Sequence, residues 1–279
     1  MVLVKIGGGG AINLDGIAED ISAMKEPVVV VHGANALRDS LAARLGVEKR
    51  VVTSLSGYDS VYSDSEAIDL LMLAYAGLRN KRIVERLQRH GCNAIGLSGL
   101  DGRAISAARN KGIRVREGDK RLLLHDFSGR PAGVNERLLR LLLAEGYTPV
   151  LTVPLVDENG FAVNSENDEV VALLQGVLKA TLVIELIEAP GLLADPDDPG
   201  SSLESLDAAD LPRLEEAARG RFRRKLLALR RLFESGSPTV VVADGRMEHP
   251  IAAAMEGKGT VISARAGSSA ARTTTGSAE

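Results

Sequence analysis

Twice in its first 35 residues the chain drives a short apolar run straight into glycine. The first run, Val2-Leu-Val-Lys-Ile6, ends in Gly7-Gly-Gly-Gly10, and the second, Val28-Val-Val-Val31, ends in His32-Gly33-Ala34-Asn35. β-Branched, apolar runs of this length suit strands covered on both faces. Each is followed by apolar residues at helical spacing: Ile17, Ile21 and Met24 after the first, Leu37, Leu41 and Leu45 after the second. Strand, glycine turn and helix in succession describe a parallel α/β sheet. In such sheets ligands sit beyond the carboxyl ends of the strands.

Glycine at those ends has a chemical use. Without Cβ atoms, Gly7 to Gly10 let backbone N–H groups close on the oxygens of an anion such as phosphate. Lys5, the one charge in its strand, can bring an ammonium group to the same anion; in a plain core strand it would be an unpaired buried charge. The competing reading is an edge strand with a solvated lysine and a flexible glycine linker, and the second glycine turn weighs against it.

Along the rest of the chain, residues 64–90 carry a helical pattern in Ile68, Leu71, Leu78, Ile83 and Leu87, with Gly77 as the expected break. Asn93 to Leu97 is a strand ending in Ser98-Gly-Leu-Asp-Gly102. Ile113 to Arg116 alternates like a strand and Arg121 to His125 reads as its hairpin partner. Later elements are a helix through Leu138, Leu141 and Leu142, a strand Pro149 to Val153, a helix after Asp168, a strand Thr181 to Glu185, a surface loop Asp195 to Gly200, a helix after Gly220 and a strand Thr239 to Ala243. Residues 264–279 are Ser, Ala, Thr, Gly and Arg with little else, the composition of a disordered tail.

Composition excludes several functions. With 279 residues, 45% of them hydrophobic, the chain can bury one large core or two smaller ones. A net charge of -3 argues against a general nucleic-acid binder, and 3% aromatic residues without Trp leave little for base stacking. No apolar run approaches ~20 residues, so no membrane span is expected. Residues 1–10 lack the pattern of a secretory signal. A single cysteine, Cys92, rules out an intramolecular disulfide and fits the cytoplasm, the expected location. No His/Cys cluster suggests a protein-bound metal, and Ser98 has no evident base partner for a hydrolase triad.

Several stretches together resemble the amino acid kinase family: Val4-Lys-Ile-Gly-Gly8, Val31-His-Gly33, Gly77-Leu-Arg-Asn-Lys81, Asn164 four residues before Asp168, Pro190-Gly191, and Gly220 to Lys225. Their order and spacing are most similar to the acetylglutamate kinase branch. Ala94-Ile-Gly-Leu-Ser-Gly-Leu-Asp-Gly-Arg103 further resembles the [LysW]-aminoadipate kinases, whose substrate amino group is blocked by a small acidic carrier protein. The resemblance covers residues 1 to about 262. It implies a three-layer α/β/α sandwich around a central, mostly parallel sheet, here with a basic β-hairpin added. The expected single domain spans residues 1–263, with an acidic-substrate half to about residue 155 and a nucleotide half after it.

It also implies transfer of the ATP γ-phosphoryl group to a side-chain carboxylate, giving an acyl phosphate, with Mg2+ arriving on ATP. Such a site needs fixed positive charge and N–H donors rather than a strong base, because the attacking carboxylate is already ionised. The resemblance assigns Lys5 and Lys225 to neutralise the transferring group and Asp168 to orient both ammonium groups. Gly7, Gly8, Pro190 and Gly191 fall to phosphate and nucleotide, and Gly33, Ala34 and Asn164 to substrate. Each has a structural alternative: Asp168 as a helix N-cap, Lys225 on a solvated basic face, Asn164 closing a turn.

Departures from the family pattern bear on the substrate. Ala34 adds a Cβ where the family has a second glycine; Val61 stands where an arginine commonly grips the substrate α-carboxylate; Ile187-Glu188 replaces a Ser/Thr-Asp/Asn pair; Glu166 and Glu169 add negative charge near the phosphates. Three acceptors therefore stay open: carrier-bound aminoadipate or glutamate, free N-acetylglutamate, or none, in a catalytically weakened carrier-binding protein. A homodimer is what the family suggests. Arg103, Arg109, Lys111, Arg114, Arg116, Lys120 and Arg121 crowd the hairpin of a net-negative chain, and they are the expected dock for an acidic carrier; a merely solvated hairpin is the alternative.

Overall fold

The computed structural model describes residues 1–264 except 49, 54, 56–58, 118–119, 195–197, 199 and 219. All of the expected tail but Ala264, and most of the loop Asp195 to Gly200, lie outside the described residues. The centre is a sheet of strands Ser205–Asp207, Thr260–Ser263, Thr239–Asp244, Leu182–Ile187, Val2–Ile6, Val28–His32, Thr148–Thr152 and Ala94–Ser98, in that order. Neighbours run parallel except Thr239–Asp244 with Thr260–Ser263. The strands that end in glycine turns lie side by side in the middle, from Val2 opposite Val28 to Ile6 opposite His32.

Side chains alternate along a strand, so Val2, Val4 and Ile6 face one way and Leu3 and Lys5 the other. The first face packs against helices Leu14–Ala23, Asn80–Arg89 and Pro250–Met255 through Ile17, Ile21, Ile83, Leu87 and Ile251. The second packs against helices Asn167–Leu178 and Gly220–Leu232 through Val171, Leu174, Leu226 and Leu229. The three layers expected of the family are present. The same alternation points Lys5 into the helical layer that carries Asp168 and Lys225.

Residues 65–89 form a continuous helical rod: Ser65–Leu71, a π-helical stretch Met72–Arg79, and Asn80–Arg89. Gly77 does not break it. The wider π turns take up the extra residue and re-phase the side chains, burying Ala74 and Tyr75 and leaving Leu78 exposed, outside the apolar face expected for it.

A second sheet has no clear signal in the sequence. Ala162–Val163, Leu155–Val156, Ile105–Arg109 and Gly129–Val134 form it in that order. Ile105-Ser-Ala-Ala-Arg109 and Gly129-Arg-Pro-Ala-Gly-Val134 carry too few large apolar residues to show a period of two. The basic hairpin does form, with Ile113–Glu117 antiparallel to Lys120–Leu124. Its root is tied down, since the Leu55 N–H donates to the Arg114 carbonyl at 2.8 Å and the Tyr62 hydroxyl to the His125 carbonyl at 2.8 Å.

Candidate active site

Three elements deliver one charge each to a common point. Strand Val2–Ile6 carries Lys5, the first turn of Asn167–Leu178 carries Asp168, and Gly220–Leu232 carries Lys225. Lys5 Nζ lies 2.5 Å and Lys225 Nζ 3.6 Å from the same oxygen, Asp168 Oδ1. The lysine side chains are only 12% and 15% exposed, so solvent screens the cluster weakly. The helix N-cap is Glu166, which removes the capping alternative for Asp168; its carboxylate instead sits in the first turn, where the helix dipole favours negative charge.

Burial by itself would raise the Asp168 pKa, but the Lys225 and Lys5 charges outweigh it and hold the carboxyl well below the usual carboxylate range. Lys225 moves the other way. Burial, with the neighbouring Lys5 charge, brings its ammonium down to about 7 against the pull of Asp168.

A fourth charge joins the cluster from the neighbouring strand. Glu185 lies directly across the sheet from Lys5, is 1% exposed, and pairs with Lys225. Lys5, Lys225, Asp168 and Glu185 thus form one cluster in which each charge has an opposite partner, with Asp168 28% exposed. The signal available in sequence was a lone acid inside Leu182-Val-Ile-Glu-Leu-Ile187; its register against Lys5 was not readable.

The glycine turns pack backbone to backbone. A Cβ on Gly8 would lie 2.6 Å from Asn35 N and one on Gly33 would lie 3.0 Å from Gly8 N, so neither position accepts a side chain without displacing main chain. Their N–H groups differ in what they can do. Gly7 donates to the Leu186 carbonyl at 2.8 Å and Gly33 to the Ile6 carbonyl at 2.9 Å, so neither is available to a ligand as expected. Gly8 and Gly9 keep N–H groups with no acceptor among the described residues. His32 fixes the second turn. Burial drops its pKa to about 3, so the ring is neutral; Asn80 Nδ2 donates to Nε2 at 3.1 Å, which leaves the proton on Nδ1, 3.3 Å from the Gly33 carbonyl.

The departures read differently in three dimensions. Ala34 is 1% exposed and belongs to the apolar cluster of Val31 and Leu71, so its Cβ packs in the core. Glu166 and Glu169 do not face the phosphate side alone: Arg224 lies 3.4 Å from Glu166 and Arg231 2.7 Å from Glu169. Of Val61 only the backbone is described, in strand Asp59–Val61. Gly191 is buried and a Cβ there would lie 2.6 Å from Thr260 Oγ1, so internal packing accounts for this glycine, while Pro190 is exposed. Asn164 donates through Nδ2 to Ser63 Oγ at 3.1 Å and through its N–H to the Phe127 carbonyl at 2.7 Å, beside the hairpin root.

Arg103, Lys111, Arg114, Arg116, Lys120 and Arg121 are exposed. Arg109 leaves the expected docking set. Its guanidinium donates to the Asp126 carbonyl at 3.1 and 3.2 Å and lies over the Phe127 ring, 4.3 Å from its centroid. Among the described residues no group of three or more His, Cys, Asp or Glu could hold a metal ion, and no helix is long and apolar enough to cross a membrane.

Residues 1–244 match the model of the amino acid kinase family. The [LysW]-aminoadipate kinase of Deinococcus radiodurans is 38% identical over 94% of this chain and 91% of its own length, and that of Thermus thermophilus 37% identical over 94% and 100%. Among solved structures, smu.665 of Streptococcus mutans superposes with a TM-score of 0.70 at 18% identity, covering 94% of this chain and 98% of that one, a likeness of fold.

Proposed function

The chain belongs to the amino acid kinase family, and from that premise we propose that it phosphorylates the side-chain carboxylate of an acidic amino acid whose α-amino group is held by an acidic carrier protein. It is a phosphotransferase acting on a carboxyl group. The observation that carries the reading is the Asp168 carboxylate oxygen shared by Lys5 and Lys225, with Lys5 on the strand that runs into Gly8 and Gly9, whose N–H groups have no acceptor among the described residues.

The chemistry follows from the charges. An acceptor carboxylate oxygen attacks the γ-phosphorus of ATP, the bond to the bridging oxygen breaks, and ADP leaves with that electron pair. No proton moves, so no general base is needed. Lys5 and Lys225 neutralise charge on the phosphoryl oxygens, Gly8 N–H adds a donor, and Asp168 with Glu185 keeps the ammonium groups apart and aimed. Asn164 holds the amino-acid part. Mg2+ would arrive on the ATP phosphates and supply further charge neutralisation there.

The exposed cations of the hairpin, Arg114, Arg116, Lys120 and Arg121, with Lys111 just before it and Arg103 ahead of strand Ile105–Arg109, are the proposed carrier dock. In support, the hairpin root at His125 to Phe127 is hydrogen-bonded to Tyr62, Ser63 and Asn164, so a carrier bound there lies next to the acceptor end. A homodimer working in the cytoplasm completes the proposal.

The test is a panel of carrier-bound aminoadipate, carrier-bound glutamate, free N-acetylglutamate and the free amino acids, with acyl phosphate trapped by hydroxylamine. Carrier-bound acids are expected to turn over and the free ones not. Equal kcat/KM on N-acetylglutamate moves the protein to acetylglutamate chemistry. Carrier binding without any acyl phosphate leaves a kinase-like carrier-binding protein.

A further inference from the structure

An acidic amino acid with its amino group blocked still carries two carboxylates, and a kinase that phosphorylates one of them has to hold the other. The holding group must be a cation other than Lys5 and Lys225, and Val61, where an arginine was expected for this contact, offers no charge. A cleft of about 40 Å3 opens beside Asn164, with Ser63, Tyr62, Arg38 and Arg50 also in its lining. It has room for a few water-sized groups, which suits the end of a ligand and not a whole one.

Arg38 belongs to helix Asn35–Leu45, whose start abuts the first glycine turn: a Cβ on Gly8 would lie 2.6 Å from Asn35 N. It comes three residues later, about 4.5 Å along the helix axis, and lines the same cleft as Asn164. Its side chain is only 15% exposed, yet the ion partner it has among the described residues is its chain neighbour Asp39, which is 48% exposed. Nε and Nη2 donate to one oxygen, Asp39 Oδ1, at 2.9 and 2.8 Å. Nη1 and the second Nη2 hydrogen have no acceptor among the described residues, so one edge of the guanidinium is open to a pair of carboxylate oxygens. Arg50 suits the role less, because it is exposed and lies over the Tyr62 ring, 4.7 Å from its centroid. The acids that also line the cleft, Asp39, Glu48, Asp64 and Glu66, are exposed, so water screens them more than it screens the Arg38 guanidinium.

We propose that Arg38 is the specificity-determining residue of the acceptor site: its guanidinium takes the α-carboxylate of the N-blocked acidic amino acid, the contact for which residue 61 has no donor. A planar fork on two carboxylate oxygens fixes orientation as well as charge. With the α-carboxylate held by Arg38, the side-chain carboxylate is the one left to meet Lys5 and Lys225. The inference rests on the acceptor chemistry proposed above and adds to it the residue that tells the two carboxylates apart.

The test is a double-mutant cycle between protein and ligand, read by calorimetric titration of the full chain. The ligands are carrier-bound glutamate and its α-carboxamide, with N-acetylglutamate and its α-carboxamide as a carrier-free pair; the proteins are the parent, Arg38→Met and Arg38→Lys. The parent should bind carrier-bound glutamate at least tenfold more tightly than the amide. Arg38→Met should narrow that ratio below threefold by weakening the acid alone, whereas a merely structural role would weaken acid and amide alike. Arg38→Lys should fall between, since an ammonium keeps the charge but not the fork. A parent that phosphorylates carrier-bound glutamate but shows no preference over the amide, or whose tenfold ratio survives in Arg38→Met, overturns the inference and leaves the proposed function standing. A parent that takes only the carrier-free acid overturns the carrier reading, and the N-acetylglutamate pair then decides the role of Arg38 by the same thresholds. A parent that binds none of the acids overturns both. Should Arg38→Met not fold, Arg38→Lys must narrow the ratio at least twofold, and an unchanged ratio refutes the role.

Discussion

Lys225 should give activity and stability opposite pH dependences. Its folded pKa of about 7 lies below the ordinary lysine value of 10.5, because burial penalises the ammonium more than Asp168 favours it. Between those values the unfolded chain carries a proton that the folded chain has released, so stability rises with pH through that window and levels off above the unfolded pKa. Integrated from pH 7 to 9, the gain is about 2 kcal/mol at 1.36 kcal/mol per pKa unit. Catalysis needs the ammonium, so kcat/KM for ATP, which reports the free enzyme, should fall above about pH 7. The kcat limb should lie higher, since bound phosphate stabilises the charged form. Urea unfolding and initial rates of the parent and Lys225→Met at pH 7, 8 and 9 provide the assay. The parent should gain stability over Lys225→Met as pH rises. Parallel stability curves, or a parent kcat/KM that is flat to pH 9, would falsify the placement of Lys225 as a buried lysine with a depressed pKa.

Lys5→Ala should lower kcat by about two orders of magnitude, or about 3 kcal/mol in the barrier, with a smaller change in ATP KM, as a contact that strengthens in the transition state requires; near-parental turnover in rate assays excludes it from catalysis. Glu185→Leu should move the alkaline limb of kcat/KM to lower pH by removing a carboxylate from Lys225, and an unmoved limb would make Glu185 a passive neighbour. Arg114→Glu with Arg116→Glu should raise KM for carrier-bound substrate and flatten its salt dependence while ATP KM holds, because rim charges act mainly on association; unchanged KM at low ionic strength removes the hairpin as dock. Asp20 accepts the Ile251 and Ala252 N–H groups at 2.8 and 3.1 Å and contacts His249 at 2.9 Å, so Asp20→Ala should cost about 1–3 kcal/mol in urea unfolding through buried donors left unpaired.

The sequence by itself determined the class of fold and pointed to the candidate site. Apolar runs ending in glycine dictate parallel strands whose carboxyl ends suit a ligand, and Lys5 before Gly7 is the local signal for an anion there. Those are local signals, written in residues within ten positions of each other. Asp168 and Lys225 were legible only through the order of family motifs, since nothing near either residue says that they meet. Tertiary structure decided the rest by bringing remote residues into register. It set Glu185 across from Lys5, gave Glu166 and Glu169 arginine partners from another helix, turned the Ala34 Cβ into the core and drew Arg109 inward over Phe127. It also distinguished the glycine N–H groups: those of Gly7 and Gly33 donate to the Leu186 and Ile6 carbonyls, while those of Gly8 and Gly9 have no acceptor among the described residues. Charge and hydrogen bonding act over a few ångströms in space, whatever the separation along the chain, so a residue's chemistry is set by neighbours that its own segment does not contain.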